Sequence, residues 1–311
     1  MDIPGKAVTN AAAAVQVLPP ISPAISLPQS ETLSGLLPSF FIVGPPRTGT
    51  TWIHEVLRDR AILPGPVKET RFFDVHFHRG LAWYQAHFKQ DGLLRPGEIA
   101  PTYFASHEAR VRIAQLVPSA TIVCILRNPV ERLFSLYRLK CAYGMLQCSF
   151  EEALRQDPEL LESSDYVLHL KAWQRSFGAA NILVSFYDDL RRSPQRFMDA
   201  ICASIGIPAF TLTVPQVRRI HDSESLTHPR LYQCTKMARL TADFLKARRL
   251  GRVVASFNRS RLRTLVIGGG RPFSTLSRAT AARLYAQFRP QVEELETMLN
   301  RDLAEWKLPA K

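Results

Sequence analysis

Phe40-Phe41-Ile42-Val43-Gly44-Pro45-Pro46-Arg47-Thr48-Gly49-Thr50-Thr51 is the stretch that decides the fold. An apolar run, Phe40 to Val43, feeds a loop bounded by glycines, and a helical pattern begins at Thr50. The spacing is nearly that of a Walker A loop, which reads Gly, four residues, Gly, Lys, Ser/Thr. Gly44, Gly49 and Thr51 hold their Walker places. The lysine place holds Thr50, and the cation stands at Arg47 instead. Such a loop turns backbone N–H groups and a helix N-terminus toward an anion. Without a lysine beside Thr51, nothing in the loop reaches a γ-phosphate as it does in ATP and GTP enzymes. The loop therefore fits a nucleotide with a different 5′ group.

A second apolar run, Ala120 to Leu126, leads into Arg127-Asn128-Pro129-Val130-Glu131-Arg132-Leu133-Phe134-Ser135. With both segments in view, the chain resembles sulfotransferases that use 3′-phosphoadenosine 5′-phosphosulfate (PAPS). The first loop resembles their 5′-phosphosulfate loop, Pro-Lys-[Ser/Thr]-Gly-Thr-Thr. The second resembles their 3′-phosphate motif, Arg-[Asp/Asn]-Pro followed by a Ser eight residues after the Arg. Either motif alone is a weak signal. The two in order, each after a strand-like run, are a strong one.

The resemblance extends over roughly residues 38 to 306. Lys68-Glu69-Thr70-Arg71-Phe72-Phe73-Asp74 and Gly97-Glu98-Ile99-Ala100-Pro101-Thr102-Tyr103-Phe104 are similar to segments of heparan sulfate N- and 3-O-sulfotransferases. Thr50-Thr51-Trp52 is closer to the small-molecule cytosolic enzymes, and Leu295 to Trp306 is similar to the C-terminus of bacterial members. The nearest subfamily is a carbohydrate-sulfotransferase-like bacterial group.

The composition agrees with a nucleotide-binding α/β domain. The chain has 311 residues, 46% of them apolar, which is enough for a sizeable core. A net charge of +13 suits an anionic ligand, though nucleic acid or a membrane surface would be attracted equally. Five unevenly spaced cysteines form no metal pattern or disulfide framework, which favours a reducing compartment. No apolar stretch reaches the roughly 18 residues of a membrane span, so none is expected. A bacterial-type cytoplasmic enzyme fits these features. Residues 7 to 29 are uncharged and Ala- and Pro-rich, with Pro19, Pro20 and Pro23 breaking the apolar region. Residues 1–36 are therefore expected to be a disordered leader rather than a signal peptide. Residues 37–311 are expected to form a single domain.

Strand and helix patterns alternate. Helices are expected from Thr50 to Arg60, over a turn from Gly80 to Phe88, and from Ser106 to Leu116. Others run from Pro129, from Tyr166 to Phe177, from Pro194 to Ile205 and from Leu231 to Ala247. Val67 to Thr70 reads as a short strand end, Gly97 to Ala100 and Asn181 to Phe186 as strands. Residues 251 to 278 read as a basic loop, and 279 to 306 as a helix interrupted at Pro290. The pattern implies an α/β fold: a P-loop-type, mainly parallel sheet with helices on both faces.

Transfer of SO₃ from a phosphosulfate requires charge neutralisation at the bridging oxygen and a base for the acceptor proton. Arg47 is the choice for the bridging oxygen, where relatives carry Lys. Thr48, Gly49, Thr50 and Thr51 supply the amide cradle and hydroxyls. Trp52 stacks on adenine by the resemblance, or is a core tryptophan. Arg127 and Ser135 are implied to bind the 3′-phosphate, although Arg127 could instead pair with Glu131. Arg132 and Arg138 read as helix-surface charges. Glu69 is the candidate base, with His76, His78 and His107 in reserve, and Asp74 orients the site. Arg71 stands where some relatives have His, and Ile99 where they have Lys, at positions implied to face the acceptor. Gly268-Gly269-Gly270-Arg271 resembles a late basic loop over the 3′-phosphate, with Arg261 and Arg263 as alternatives. No metal is expected if side chains and loop amides neutralise the bridging oxygen. The implied acceptor is a hydroxyl or amine of a small molecule or carbohydrate. A P-loop small-molecule kinase and a basic polyanion-binding module are the competing readings. Thr50 argues against the first. Against the second, no recognition-helix motif or aromatic RNA signature is visible.

Overall fold

Four short strands, Phe40–Val43 (β1), Gly97–Ile99 (β2), Thr121–Leu126 (β3) and Ile182–Phe186 (β4), form a parallel sheet in the order β2-β1-β3-β4. The computed structural model describes residues 36–89, 92–218, 226–247 and 269–308. Between β1 and β2 come α1 (Thr50–Leu57), a π-helical turn at Phe72–His76 and α2 (Leu81–Gln85). Between β2 and β3 comes α3 (His107–Leu116). Four helices separate β3 from β4: α4 (Pro129–Ala142), α5 (Phe150–Gln156), α6 (Glu159–Glu162) and α7 (Tyr166–Phe177). After β4 come α8 (Tyr187–Arg192), α9 (Pro194–Ile205), α10 (Val214–Arg218), β5 (Thr227–Pro229), α11 (Tyr232–Ala247), β6 (Gly269–Pro272) and α12 (Arg278–Leu299).

The apolar strand runs are continuous because both faces of the sheet are covered. Phe41, Val43, Ile122, Cys124 and Leu126 face one core, shared with α3, α7 and part of α12. Phe40, Ile42, Ile99, Val123 and Ile125 face the other, shared with α1 and α9. The alternation within each strand is the two-residue period of the pleat. A third cluster joins α4 to α5 and α12 through Leu133, Leu136, Tyr137, Phe150, Leu284 and Phe288. No helix of the described residues is long and apolar enough to cross a membrane.

Several local expectations are corrected. Val67 to Thr70 is irregular rather than a strand. The C-terminal helix runs through Pro290 without interruption and ends at Leu299, capped by Asn300 in the left-handed conformation. Buried Phe288 and Val292 hold both halves against packed neighbours, which offsets the hydrogen bond that proline removes. Residues 269 to 272 are not loop but β6, antiparallel to β5. Most of the expected leader, residues 1–35, lies outside the described residues, as do Arg261, Arg263 and Gly268.

Candidate active site

The sheet order places two loops side by side. β1 lies between β2 and β3, so the strand order reverses there, and ligands bind at the carboxyl ends of such strands. Val43 stands opposite Cys124, so the chain leaves β1 and β3 at nearly the same level. A Cβ on Gly44 would lie 2.7 Å from the carbonyl oxygen of Ile125, a contact that only glycine avoids. Thr48, fully buried, donates its hydroxyl to the carbonyl of Pro45 at 3.0 Å and ties the loop across itself. Gly49 caps α1 with φ 90°, and Arg47 also lies in the left-handed region with φ 81°. A side-chain-bearing residue pays roughly 1–2 kcal/mol for that conformation, and two contacts hold it there. Arg47 Nε donates to Ser135 Oγ at 2.9 Å, and the Arg47 carbonyl accepts from Arg127 Nη1 at 3.4 Å.

These contacts bring the two sequence motifs into one cluster of guanidinium groups. Asn128 caps α4 by accepting from the amides of Val130 and Glu131, with Pro129 in the first turn. That cap fixes the direction of the helix carrying Ser135. Tyr166 donates its hydroxyl to the Arg127 carbonyl at 2.9 Å. The Arg127 guanidinium lies 4.6 Å over the Tyr187 ring and pairs with Glu131 at 3.1 Å, so the local ion pair and the approach to Arg47 coexist. Burial, then Arg127 and Arg138, push the Arg47 pKa down, while Tyr187 and Tyr143 oppose them. Gathering like charges this way costs free energy that a bound polyanion recovers.

The second wall is built from Lys68 to Thr70. Lys68 Nζ donates to Glu69 Oε1 at 2.9 Å and to Thr51 Oγ1, on the first turn of α1, at 3.4 Å. Both side chains of the Lys68–Glu69 pair are about a quarter exposed, 26% and 24%. Thr70 is held from behind by Glu98, which is fully buried on β2. Glu98 Oε1 accepts from the Thr70 amide at 3.0 Å, the Thr70 hydroxyl at 2.7 Å and Tyr103 at 3.2 Å, and Oε2 accepts from Tyr84 at 2.7 Å. Burial raises the Glu98 pKa to about 7, and those hydrogen bonds keep it from rising further. The Glu98 network therefore fixes the backbone next to the candidate base.

The remaining sequence candidates have mixed fates. Trp52 is 8% exposed, packs against Phe197 and donates its Nε1–H to the Gln216 carbonyl. It also lines a cavity of about 230 Å³ with Glu55, Val56, Pro215 and Gln216, so it is both a core residue and a wall. Asp74 is paired with Arg71 at 2.9 Å. His76 packs edge-on against Trp83, His78 is exposed, and His107 bonds Arg110. Ile99 is fully buried opposite Ile42 and faces the core, not an acceptor, because the pleat turns Glu98 to the other side. Arg271 is exposed on β6, and among the described residues it makes no hydrogen bond to Arg47, Arg127 or Ser135. Arg132 is not a surface charge. It is fully buried and donates to the Leu160 carbonyl and to Ser164. Arg138 is half-buried, donates to the Leu226 carbonyl and acts on Arg47 from one turn beyond Ser135. The reach of Lys68 to Thr51, the burial of Glu98 and the position of Arg138 were missed. Only the helical spacing of Ser135 and Arg138 signalled any of them.

Residues 37–259 match the family model described as sulfotransferase domain. The chain belongs to the sulfotransferase family. Similar curated relatives are sulfotransferases joined to a second activity. The bifunctional heparan sulfate N-deacetylase/N-sulfotransferase 2 of Bos taurus is 32% identical over 201 residues, which are 56% of this chain and 22% of the relative. The Homo sapiens protein of the same name is 31% identical over 215 residues, 60% of this chain and 24% of the relative. The chain thus spans about a quarter of the length of these relatives. A solved sulfotransferase from Alicyclobacillus acidocaldarius shares the fold, with TM-score 0.63 at 20% identity, over 88% of this chain and 100% of that one.

Proposed function

We propose that this sulfotransferase-family chain moves the sulfuryl group of PAPS to a hydroxyl or amine of a carbohydrate or glycosylated metabolite. The observation that carries the reading is the hydrogen bond from Arg47 to Ser135. It joins a loop suited to a 5′-phosphosulfate to a helix suited to a 3′-phosphate. A nucleotide with phosphate at both ends would meet Arg47, the amides at the start of α1, Arg127 and Ser135 together. Trp52 walls a cavity beside α1, and in this reading its ring stacks on the adenine. Glu69 takes the acceptor proton as the acceptor attacks sulfur, and Arg47 neutralises charge on the departing phosphate oxygen. The N-sulfotransferase name of the relatives supports an amino sugar as acceptor. Five free cysteines support a reducing, cytoplasmic setting.

The test is transfer of ³⁵S from labelled PAPS to a panel of N-desulfated heparan, simple amino sugars, neutral sugars and phenols. Label is expected in a carbohydrate product. Label appearing only in phenols would overturn the carbohydrate assignment, and no labelled product with any acceptor would count against the transfer itself.

A further inference from the structure

Lys68 has more contacts than a neighbouring ion pair requires. An ion pair between exposed Lys and Glu side chains is worth little. Here Lys68 bonds Glu69 and also spans 17 residues to the hydroxyl of Thr51. Thr51 holds the Walker Ser/Thr place, and the Walker lysine that should precede it is Thr50, which the fold buries. The fold thus returns an ammonium to the phosphate loop from a separate segment. His54, one turn further along α1, borders the same group. Its pKa is pushed down to about 4 by burial and then by Lys68 and Arg58, so it stays neutral beside the ammonium. The backbone next to the Lys68–Glu69 pair is anchored, because Thr70 is fastened to the buried Glu98.

We propose that Lys68 is a catalytic residue of this site: it contacts the 5′ end of the donor from the Glu69 side and protonates the bridging oxygen. This rests on the PAPS reading above. Arg47 cannot fill the second role, because a guanidinium keeps its protons at neutral pH. The acceptor lone pair forms the new bond to sulfur, and the sulfur–oxygen bond to phosphate breaks with its electrons on that oxygen. The acceptor proton passes to the Glu69 carboxylate. A Lys68 ammonium proton passes to the departing oxygen. Glu69 then returns a proton to the Lys68 amine across their 2.9 Å contact. The net result is one proton moved from acceptor to 3′-phosphoadenosine 5′-phosphate (PAP), with both side chains restored.

The experiment compares PAP with 3′-AMP, which lacks the 5′-phosphate, in calorimetric binding to the wild type, Lys68→Ala, Lys68→Arg and Glu69→Gln. Lys68→Ala is expected to weaken PAP by about 10- to 100-fold, the range of a charge-assisted hydrogen bond, and to leave 3′-AMP unchanged. Lys68→Arg should restore PAP binding but not turnover of labelled PAPS, since it returns the charge without a transferable proton. Glu69→Gln should bind PAP normally, separating the role of Lys68 from that of its partner. Unchanged PAP affinity in Lys68→Ala, equal losses for PAP and 3′-AMP, or full turnover in Lys68→Arg would each overturn the assignment. A wild type that binds no PAP overturns the donor reading itself, and Lys68 with it.

Discussion

Arg47 Nε donates to Ser135 Oγ at 2.9 Å, across 88 residues of sequence. Arg47 belongs to the loop after β1, and Ser135 to the second turn of α4 after β3. They meet because β1 and β3 are neighbours in register, so both loops open on the same edge of the sheet. The predictions below follow from that meeting and from the wall facing it.

Arg127→Ala and Ser135→Ala should both weaken PAP, the arginine change more. A hydrogen bond to phosphate from a charged donor is worth about 1.5–3 kcal/mol against about 1 for a neutral one. Titration with adenosine 5′-phosphosulfate, which lacks the 3′-phosphate, makes the comparison informative. A smaller loss than for PAP is expected, and equal losses would remove both residues from the 3′ site.

Glu69→Gln should lower turnover by about 10²-fold while leaving PAP affinity nearly unchanged. Glutamine keeps an oxygen for Lys68 but cannot take a proton. Near-normal turnover in steady-state assays with a good acceptor would move the role of base to His76, His78 or His107.

Glu98 should make stability fall as pH rises. Its folded pKa of about 7 lies above its ordinary value of 4.5, so between those values the folded chain holds a proton that the unfolded chain has lost. The stability this proton contributes is complete below about pH 4.5, declines toward pH 7 and is gone above it. The span amounts to about 3 kcal/mol at 1.36 kcal/mol per pH unit. Glu98→Gln should remove this slope, so melting temperatures of variant and wild type should diverge between about pH 5 and pH 7. His54, whose pKa is lowered, contributes a slope of the opposite sign in both proteins and cancels in the difference. A constant difference across that range would contradict the assignment.

Gly44→Ala should cost about 1–3 kcal/mol, the usual range for overpacking. The new methyl would meet Ile125 backbone atoms at 2.7 and 3.0 Å, and backbone cannot swing away. Gly65→Ala, with nothing within 4 Å of its added Cβ, is the control and should be nearly neutral in chemical denaturation. Equal stabilities of the two variants would mean that β1 and β3 are not held as described.

The sheet and the phosphate loops were legible because each rests on local signals: an apolar run, then a short motif read without knowing the fold. Arg127, Ser135 and Arg47 could be chosen on that basis, and the structure brings them together. Long-range placement was not legible. Nothing in Lys68-Glu69 says that the lysine returns to Thr51. A glutamate before Ile99 reads as a motif letter until the pleat turns one inward to the core and the other to Thr70, Tyr84 and Tyr103. Arg132 sits on a helix beside charged residues and looks exposed, yet packing against α6 and Ser164 buries it. Strand β6, four residues containing two glycines and a proline, carries no strand pattern at all.

The most direct measurement is the shift in melting temperature with PAP in EDTA, set beside the shift with ATP and Mg²⁺. A site that joins a 5′ loop to a 3′-phosphate helix should be stabilised by PAP without metal, by about 2.7 kcal/mol at 100 times the dissociation constant. ATP with Mg²⁺ should give little, since it lacks the 3′-phosphate that Arg127 and Ser135 would hold. A shift with ATP and Mg²⁺ and none with PAP would contradict the account and favour a kinase.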